Sequence, residues 1–288
     1  MVILNQMLSK YNASSPLDKI NVIKEIVQEI ILSGLARSDF FKYAAFYGGT
    51  SLRIFHNLDR FSEDLDFTLL QHDPHFNLKT YVSSILDELR SLGIQANLEV
   101  KNKVAITSVQ SGVFRGNMLN LYRVFYPEDK SLIHLLHRDA TIKIKIDLDT
   151  HPPQFATTEI MNRNLPYPYQ VLIYDLPSLF ASKLSAVLTR NWQSRFKGRD
   201  LYDLIYYVKK GIVLNKLLLQ DSLVKNSLIN KEMVFNHEVL MELLVRRLEK
   251  IDFIQASLDV QPFITNLDSL KTWSFDFFKN LIQNIIPI

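Results

Sequence analysis

The chain of 288 residues has no cysteine and only eight glycines, against 18 phenylalanines and 12 tyrosines. The absence of cysteine excludes disulfides and thiolate metal sites. Scarce glycine argues against a glycine-rich doubly wound dinucleotide fold. No run approaches the roughly 18 apolar residues of a membrane helix, and the first residues lack the pattern of a signal peptide. We therefore expect a cytoplasmic protein without membrane contact.

Charge and composition favour a globular chain but say little about its partners. Apolar residues make up 47% of the sequence, which is enough for one large domain or two smaller ones. The net charge of +3 is too small to indicate nucleic acid binding by itself. One segment, 190–199, concentrates cations and aromatic rings, which can hold phosphates and stack bases; the alternative is a solvated loop between helices. Its members are Arg190, Trp192, Arg195, Phe196, Lys197 and Arg199.

The hydrophobic pattern predicts an α+β chain with a mixed sheet flanked by helices, followed by an all-helical part. We expect a domain over residues 1–174 and a helical domain over 175–288. The first contains helices over 16–35, 50–56 and 78–92, strands over 42–46, 65–70, 141–148 and 170–174, and a β-rich stretch over 94–126. The second contains helices over 175–190, 200–210, 214–228, 236–251 and 267–285.

Two carboxylates, Asp64 and Asp66, lie two residues apart on a predicted strand, so their side chains leave the same face. The residues between and beyond them, Leu65, Phe67 and Leu69, would point into the core. Carboxylates this close repel each other unless a cation lies between them, and Mg²⁺ favours such oxygen ligands. An exposed polar strand face is the other interpretation, although aspartate is disfavoured in strands.

A turn before this strand can bind phosphate. Gly48 and Gly49 allow close backbone approach, and Thr50 and Ser51 offer hydroxyls where a helix begins. Free N–H groups at a helix N-terminus and the helix dipole favour anions. Alone, the segment could be an ordinary strand-to-helix turn with a Thr or Ser cap. Turn, short helix and paired aspartates in this order favour a site that binds metal and phosphate.

A third carboxylate is expected from the strand over 141–148, whose polar face carries Asp147 and Asp149 beside Lys143 and Lys145. Asp147 is preferred as metal ligand or general base, because Asp149 already lies at the strand end. A solvent-facing strand with mixed charges is the alternative.

Further candidates lie on the predicted helices. Lys183 interrupts an apolar helix and would need a phosphate or carboxylate partner if buried; it could also be exposed. Asp200 and Asp203 share a helix face, and Asp200 could instead cap its helix or pair with Arg199. Two arginines that flank the turn, Arg53 and Arg60, could pair with the carboxylates or with phosphate.

Taken together, these motifs resemble the AbiEii/AbiGii toxin family of nucleotidyltransferases. The run GGTSLRIFHNLDRFSEDLDF matches a Gly-rich turn, a Leu-Arg helix and an R-x-S-x-D-L-D-F strand. Lys145-Ile146-Asp147 is similar to the family's Lys-x-acid strand. Lys183 with Arg190, and the run from Gly198 to Leu204, resemble its helical motifs. The turn here reads Gly-Gly-Thr-Ser rather than Gly-Ser, so whether Thr50 or Ser51 contacts phosphate stays open.

The resemblance implies a nucleotidyltransferase fold with the nucleotide in a cleft that the helical domain closes. It implies a toxin of a toxin–antitoxin or abortive-infection system that uses Mg²⁺ or Mn²⁺ and an NTP, with a cognate antitoxin encoded nearby. Implied roles are metal binding by Asp64, Asp66 and Asp147, triphosphate contacts by Lys183 and Asp203, and nucleotide contacts by Gly48, Gly49, Thr50, Ser51 and Arg53. The acceptor would be RNA, at a tRNA 3′ end. One alternative is a different acceptor, either a protein or a small molecule. Another is a non-catalytic nucleotide-binding module that acts through partner contacts.

Overall fold

A computed structural model describes residues 2–101, 108–134, 136–190 and 197–287. Within these ranges seven strands form one sheet, and eleven α-helices accompany it. This mixture of parallel and antiparallel strands with helices confirms the predicted α+β class. The strands are β1 (Ala44–Tyr47), β2 (Leu65–Leu69), β3 (Asn97–Val100), β4 (Val109–Asn117), β5 (Thr141–Asp149), β6 (Thr158–Arg163) and β7 (Tyr169–Tyr174).

The strand with the paired aspartates lies in the middle of the sheet. The strand order is β3-β4-β5-β2-β1-β7-β6, so β2 has β5 on one side and β1 on the other. β2 pairs with β5 in parallel and with β1 in antiparallel register. A central position means that both edges of β2 are hydrogen-bonded, which fixes the direction of its side chains.

Burial along β5 follows the predicted alternation, and burial along β2 follows it except at Thr68, which is also buried. Leu65, Phe67 and Leu69 are buried on β2, and the isoleucines and leucine of β5 are buried between its exposed or half-buried polar residues. The Phe67 ring packs edge-on against Phe40 with centroids 5.0 Å apart, and against Phe46 at 5.1 Å. Aromatic pairs of this kind stabilise a core beyond the area they bury. The polar face of both strands is thereby directed away from the core.

Five helices accompany the strands up to β7: α1 (Val2–Leu8), α2 (Pro16–Ala36), α3 (Gly48–His56), α4 (Val82–Ser91) and α5 (Met118–Phe125). The longest, α2, begins with a capping box. The Ser15 hydroxyl accepts from the Asp18 amide, and the Asp18 carboxylate accepts from the Ser15 amide. Pro16 fills the first helical position, where no amide partner is needed.

The prediction of a β-rich stretch to residue 126 was wrong over Met118–Phe125, which is helix α5. The Asn117 side chain caps this helix by accepting from the Asn120 amide at 3.0 Å. Leu121, Tyr122 and Phe125 are buried, at the three- and four-residue spacing of a helix. The aromatic and β-branched content that suggested strands therefore serves one face of a short helix.

Six helices follow Tyr174, and no strand occurs there in the described residues. They are α6 (Leu176–Thr189), α7 (Gly198–Lys209), α8 (Lys216–Lys225), α9 (His237–Leu248), α10 (Phe253–Val260) and α11 (Phe275–Ile282). Helix α10 was not predicted; Asp252 caps it by accepting two amides. The predicted helix over 267–285 is instead a 3₁₀ turn (Leu267–Leu270) followed by α11, which Ser274 caps.

The chain divides into two compact units by contacts. The first comprises Met1–Asn57, Phe61–Pro152 and Glu159–Ile173 and holds the sheet. The second comprises Leu58–Arg60, Pro153–Thr158 and Tyr174–Ile288 and holds the later helices. Within the described ranges, no helix is long and apolar enough to cross a membrane.

Candidate active site

The turn between β1 and α3 lies directly against a carboxylate. Gly48 has φ of +83°, and a Cβ built on it would lie 2.6 Å from the Asp66 Oδ2. A side chain at this position would therefore be strained and would collide with Asp66. The N-cap Tyr47 makes no side-chain cap hydrogen bond, so the start of α3 is not closed by its own cap residue. A helix start of this kind favours a bound anion.

Register brings two of the predicted carboxylates to neighbouring positions. Asp66 on β2 is the Cα partner of Asp147 on β5, and the two strands run in parallel. Asp64 comes just before β2 and is exposed, whereas Asp66 and Asp147 are half-buried. The sequence predicted all three residues, and the register of the sheet accounts for why Asp66 of β2 and Asp147 of β5 are neighbours.

Both oxygens of Asp147 accept hydrogen bonds. The Ser111 hydroxyl on β4 donates to Oδ1 at 2.7 Å, and the Lys145 ammonium, two residues away on the same face of β5, donates to Oδ2. The alternative candidate, Asp149, lies at the end of β5 and accepts from the His151 amide at 2.9 Å. Asp149 therefore caps the turn after the strand, while Asp147 lies beside Asp66.

Lys145 carries the positive charge of this group. Its hydrogen bond to Asp147 raises its pKa, burial opposes the shift, and the charges of Asp147, Asp64 and Asp66 add to it. Across the part of the chain that the structure describes, no three His, Cys, Asp or Glu side chains are arranged to hold a metal ion. All three carboxylates thus act electrostatically on Lys145, and Asp147 accepts its hydrogen bond.

The two hydroxyls of the turn have different surroundings. Thr50 is buried, and its hydroxyl donates to the backbone carbonyl of Asp64. Ser51 is also fully buried, and its Oγ has no hydrogen-bond partner among the described residues. Thr50 thus joins the start of α3 to the residue that precedes β2. Since both hydroxyls are buried, the more accessible groups of the turn are those of the half-buried Gly48 and Gly49.

Arg53, predicted to contact nucleotide, makes contacts that orient α3. Its Nε donates to Glu25 on α2 at 2.8 Å, and its guanidinium lies 4.6 Å from the centre of the Phe61 ring. Burial raises the pKa of Glu25, and the neighbouring Arg53 opposes this shift. Buried charges require such partners. A contact between Arg53 and nucleotide stays a prediction.

Lys183, on α6, belongs to a cluster of buried charges in the helical unit. Its Nζ lies 2.7 Å from Asp200 and 2.8 Å from Asp203, both on α7. Asp203 also accepts from Arg60, and Asp200 accepts from Arg190. Burial opposes the charged form of Lys183, but the two carboxylates outweigh it and raise the pKa of Lys183. Burial likewise opposes the charged form of Asp200, but Lys183 and Arg190 outweigh it and lower the pKa of Asp200.

Sequence reasoning assigned carboxylate or phosphate partners to Arg60 without choosing between them, and the structure gives it Asp203. Ser111 was missed, because a serine on a strand carries no signal of its own. Lys145 was noted on the polar face of its strand and within the Lys-x-acid motif, but no role was assigned to it. Its spacing of two residues from Asp147 was the signal that both share one strand face.

The predicted basic segment is only partly visible. Trp192, Arg195 and Phe196 lie outside the described residues. Of the others, Arg190 pairs with Asp200, and the Arg199 guanidinium lies 4.3 Å from the centre of the Phe263 ring and 3.6 Å from Asp259. Arg190 and Arg199 therefore already have partners within their own unit.

A cavity of about 520 Å³ occurs elsewhere in the first unit. It lies at the far end of β2 from Asp66, with Leu69 and Leu70 on one side and Lys42 and Tyr43 before β1. None of the predicted site residues lines it. Cavity size therefore does not point to the carboxylates, whose site is open and polar.

Comparison with known proteins bears on the family and the fold of this chain. A family model described as nucleotidyl transferase AbiEii toxin, type IV TA system, matches residues 30–279. The crystal structure of JHP933 from Helicobacter pylori is similar, with a TM-score of 0.50, 17% identity, and coverage of 91% of this chain and 90% of that one. A candidate nucleotidyltransferase from H. pylori gives a TM-score of 0.48 at 17% identity, with coverage of 90% and 92%. No curated protein matches by sequence. The JHP933 likeness supports the fold.

Proposed function

This chain belongs to the AbiEii nucleotidyl transferase toxin family of type IV toxin–antitoxin systems, and from that premise we propose a specific reaction. The protein transfers a nucleoside monophosphate from an NTP to an acceptor hydroxyl, a reaction of the EC 2.7.7 type. The observation that carries the proposal is the register of Asp66 with Asp147, beside a Gly48 turn that leaves no room for a side chain. These features support a metal site at the aspartates beside a phosphate site at the turn.

The donor set suits a hard divalent cation. Asp64, Asp66 and Asp147 supply carboxylate oxygens, the ligands that Mg²⁺ and Mn²⁺ prefer, and the chain has no thiolate to offer. A cation held there would neutralise charge on the phosphate oxygens and polarise the phosphorus. In this proposal the three aspartates hold Mg²⁺ or Mn²⁺ together with the NTP.

The chain's own groups would position the substrate and take up the proton. Backbone amides at Gly48 and Gly49 bind phosphate oxygens at the start of α3. The acceptor oxygen attacks the α-phosphorus, a new P–O bond forms, and the bond to the bridging oxygen breaks, so that pyrophosphate leaves. The acceptor proton passes to Asp147. In-line geometry of this kind depends on position more than on covalent chemistry.

Lys183 remains part of the proposal as a triphosphate contact, together with Asp203 as its carboxylate partner. The five charged groups Arg60, Lys183, Arg190, Asp200 and Asp203 carry three positive and two negative charges, a net charge of +1. Arg190 is the most exposed of them, with 45% of its side chain accessible. This excess of positive charge supports attraction of a triphosphate. A Lys183→Met variant should raise the KM for NTP.

For the acceptor we propose RNA at the 3′ end of tRNA, and for the partner a cognate antitoxin. Family membership supports both, and the cation-rich sequence over 190–199 suits a polynucleotide. A protein or small-molecule acceptor would use the same carboxylates, so the site does not choose among acceptors. The choice is left to the experiment.

The test uses each of the four NTPs, labelled at the α-phosphate, with total cell extract and Mg²⁺ or Mn²⁺. Label is followed into RNA, protein and small molecules. We expect label in RNA with the wild type and with Asp149→Asn, which alters the same face of β5 at the turn. Asp66→Asn should reduce transfer to background. Label in protein or in small molecules would show that the acceptor is not RNA. If no fraction is labelled and Asp66→Asn remains toxic, the non-catalytic alternative is favoured.

A further inference from the structure

The Lys145 ammonium lies where a divalent cation bound to Asp147 would repel it. Oδ1 accepts from Ser111 at 2.7 Å, and Oδ2 accepts from the Lys145 ammonium. On the proposed function, Asp147 binds the cation together with Asp66, its register partner. A neutral hydroxyl can stay beside a bound cation, but a neighbouring ammonium is repelled.

We propose that Lys145 is a built-in counter-ion of the carboxylate group, and that a divalent cation binds by displacing its ammonium from Asp147. The proposal rests on the proposed function, because the same aspartates serve both. It makes Lys145 a positioning residue: it holds Asp147 in the metal-free protein and sets how tightly the metal binds.

Exposure identifies Lys145 as the donor that can leave. Its side chain is 51% accessible, whereas the side chain of Asp147 is 20% accessible. An ammonium near the surface can move into water at little cost, and ion pairs of this kind are weak. Ser111, on the neighbouring strand β4, is held at Asp147 by the β4–β5 register. Its neutral hydroxyl can stay, whereas an ammonium beside a divalent cation would be repelled.

The charges around Lys145 support the same conclusion. Asp64 and Asp66 act on it electrostatically in addition to Asp147. Lys143 lies two residues earlier on the same exposed face of β5, opposite Arg115 on β4. Lys143 is thus an exposed lysine on the same face of the same strand. It lies four residues from Asp147, whereas Lys145 lies two residues away. The two lysines provide a matched pair.

The experiment is a calorimetric titration of the full chain with Mn²⁺, without nucleotide, for the wild type, Lys145→Met, Lys143→Met and Asp66→Asn. We expect Lys145→Met to bind Mn²⁺ about threefold to tenfold more tightly than the wild type, because no ammonium competes. Lys143→Met should stay within about twofold of the wild type, since its charge is more distant and screened. A Lys145→Gln variant should reproduce Lys145→Met, and circular dichroism checks the fold of each.

The outcomes separate this inference from the proposed function. Binding of Mn²⁺ by the wild type but not by Asp66→Asn would support the metal site. If in that case Lys145→Met and Lys145→Gln bind Mn²⁺ no more tightly than Lys143→Met, the counter-ion inference is wrong. Equal gains in Lys145→Met and Lys143→Met would show a general charge effect and would also overturn it. If neither the wild type nor any variant binds Mn²⁺, the metal site of the proposed function fails, and the inference fails with it.

Discussion

Arg60 and Asp203 form a two-point ion pair across 143 residues of sequence. The Arg60 Nε donates to Oδ1 at 2.6 Å, and a terminal nitrogen donates to Oδ2 at 2.7 Å. Neither side chain is more than 3% accessible. Both residues belong to the second unit, where the pair joins the short segment Leu58–Arg60 to α7. Asp203 therefore has a structural duty whether or not it also serves the reaction.

Replacing Asp203 by asparagine should destabilise the protein by about 3–5 kcal/mol, because Arg60 and Lys183 would be left buried with less compensating charge. Urea unfolding measures the change. The control is Asp87→Asn, which breaks the exposed pair with Arg90 and should cost less than about 1 kcal/mol. Wild-type stability combined with lost nucleotide transfer would instead assign Asp203 to the chemistry.

This pair also shows where sequence reasoning reached its limit. The alternation over Leu65–Leu69 and over β5 was predictable, because a period of two is a property of the strand itself. That Asp66 and Asp147 would be neighbours was expected from their shared chemistry. The partner of Arg60 was not predictable, since nothing local selects one carboxylate among many at a separation of 143 residues. Helix α5 was missed because its aromatic residues favour strands until tertiary packing decides.

A close contact between two helices makes Gly198 sensitive to substitution. A Cβ built on Gly198, at the start of α7, would lie 1.7 Å from the carbonyl oxygen of Ala256 on α10. Gly198→Ala should therefore push the helices apart and cost at least about 3 kcal/mol, the upper part of the range for overpacking.

Thermal unfolding of Gly198→Ala should be compared with Gly112→Ala. Gly112 lies on β4, where a new Cβ would meet its neighbours at ordinary contact distances of 3.5–3.7 Å. That change should stay within about 1 kcal/mol of the wild type. Equal melting temperatures for the two variants would contradict the contact between α7 and α10.

Gly48 and Gly93 offer a test of the turn that separates backbone strain from collision. Both have left-handed φ, +83° and +78°, but only Gly48 has Asp66 within contact, and a Cβ at Gly93 would meet nothing within 4 Å. Each alanine variant should lose about 1–2 kcal/mol from strain. Only Gly48→Ala should also weaken Mn²⁺ binding and nucleotide transfer, because it displaces the Asp66 carboxylate. Normal Mn²⁺ binding by Gly48→Ala would count against Asp66 as a ligand.

Thr50 and Ser51 can be distinguished by removing each hydroxyl. Thr50→Val removes the donor to the Asp64 carbonyl and should cost about 1–2 kcal/mol, since a part-buried acceptor loses its partner. Ser51→Ala should be neutral or slightly stabilising, because the buried Ser51 Oγ has no partner in the described chain. Chemical denaturation gives both values. A large loss of NTP affinity in Ser51→Ala, without a loss of stability, would mean that the turn opens to let Ser51 reach phosphate.

His56, the last residue of α3, should make stability fall in mild acid. Burial lowers the pKa of its imidazole below the usual 6.5, so below pH 6.5 the unfolded chain binds a proton that the folded protein does not. The contribution of His56 is complete above pH 6.5 and is lost as the pH falls below that value. The unfolding free energies of the wild type and His56→Gln should be measured from pH 8 to pH 5. The difference at pH 8 is the reference, and it should shrink as the pH falls because only the wild type carries the histidine. Parallel curves would mean that the folded protein accepts the proton as readily as the unfolded chain, and that the last turn of α3 tolerates a charged imidazole.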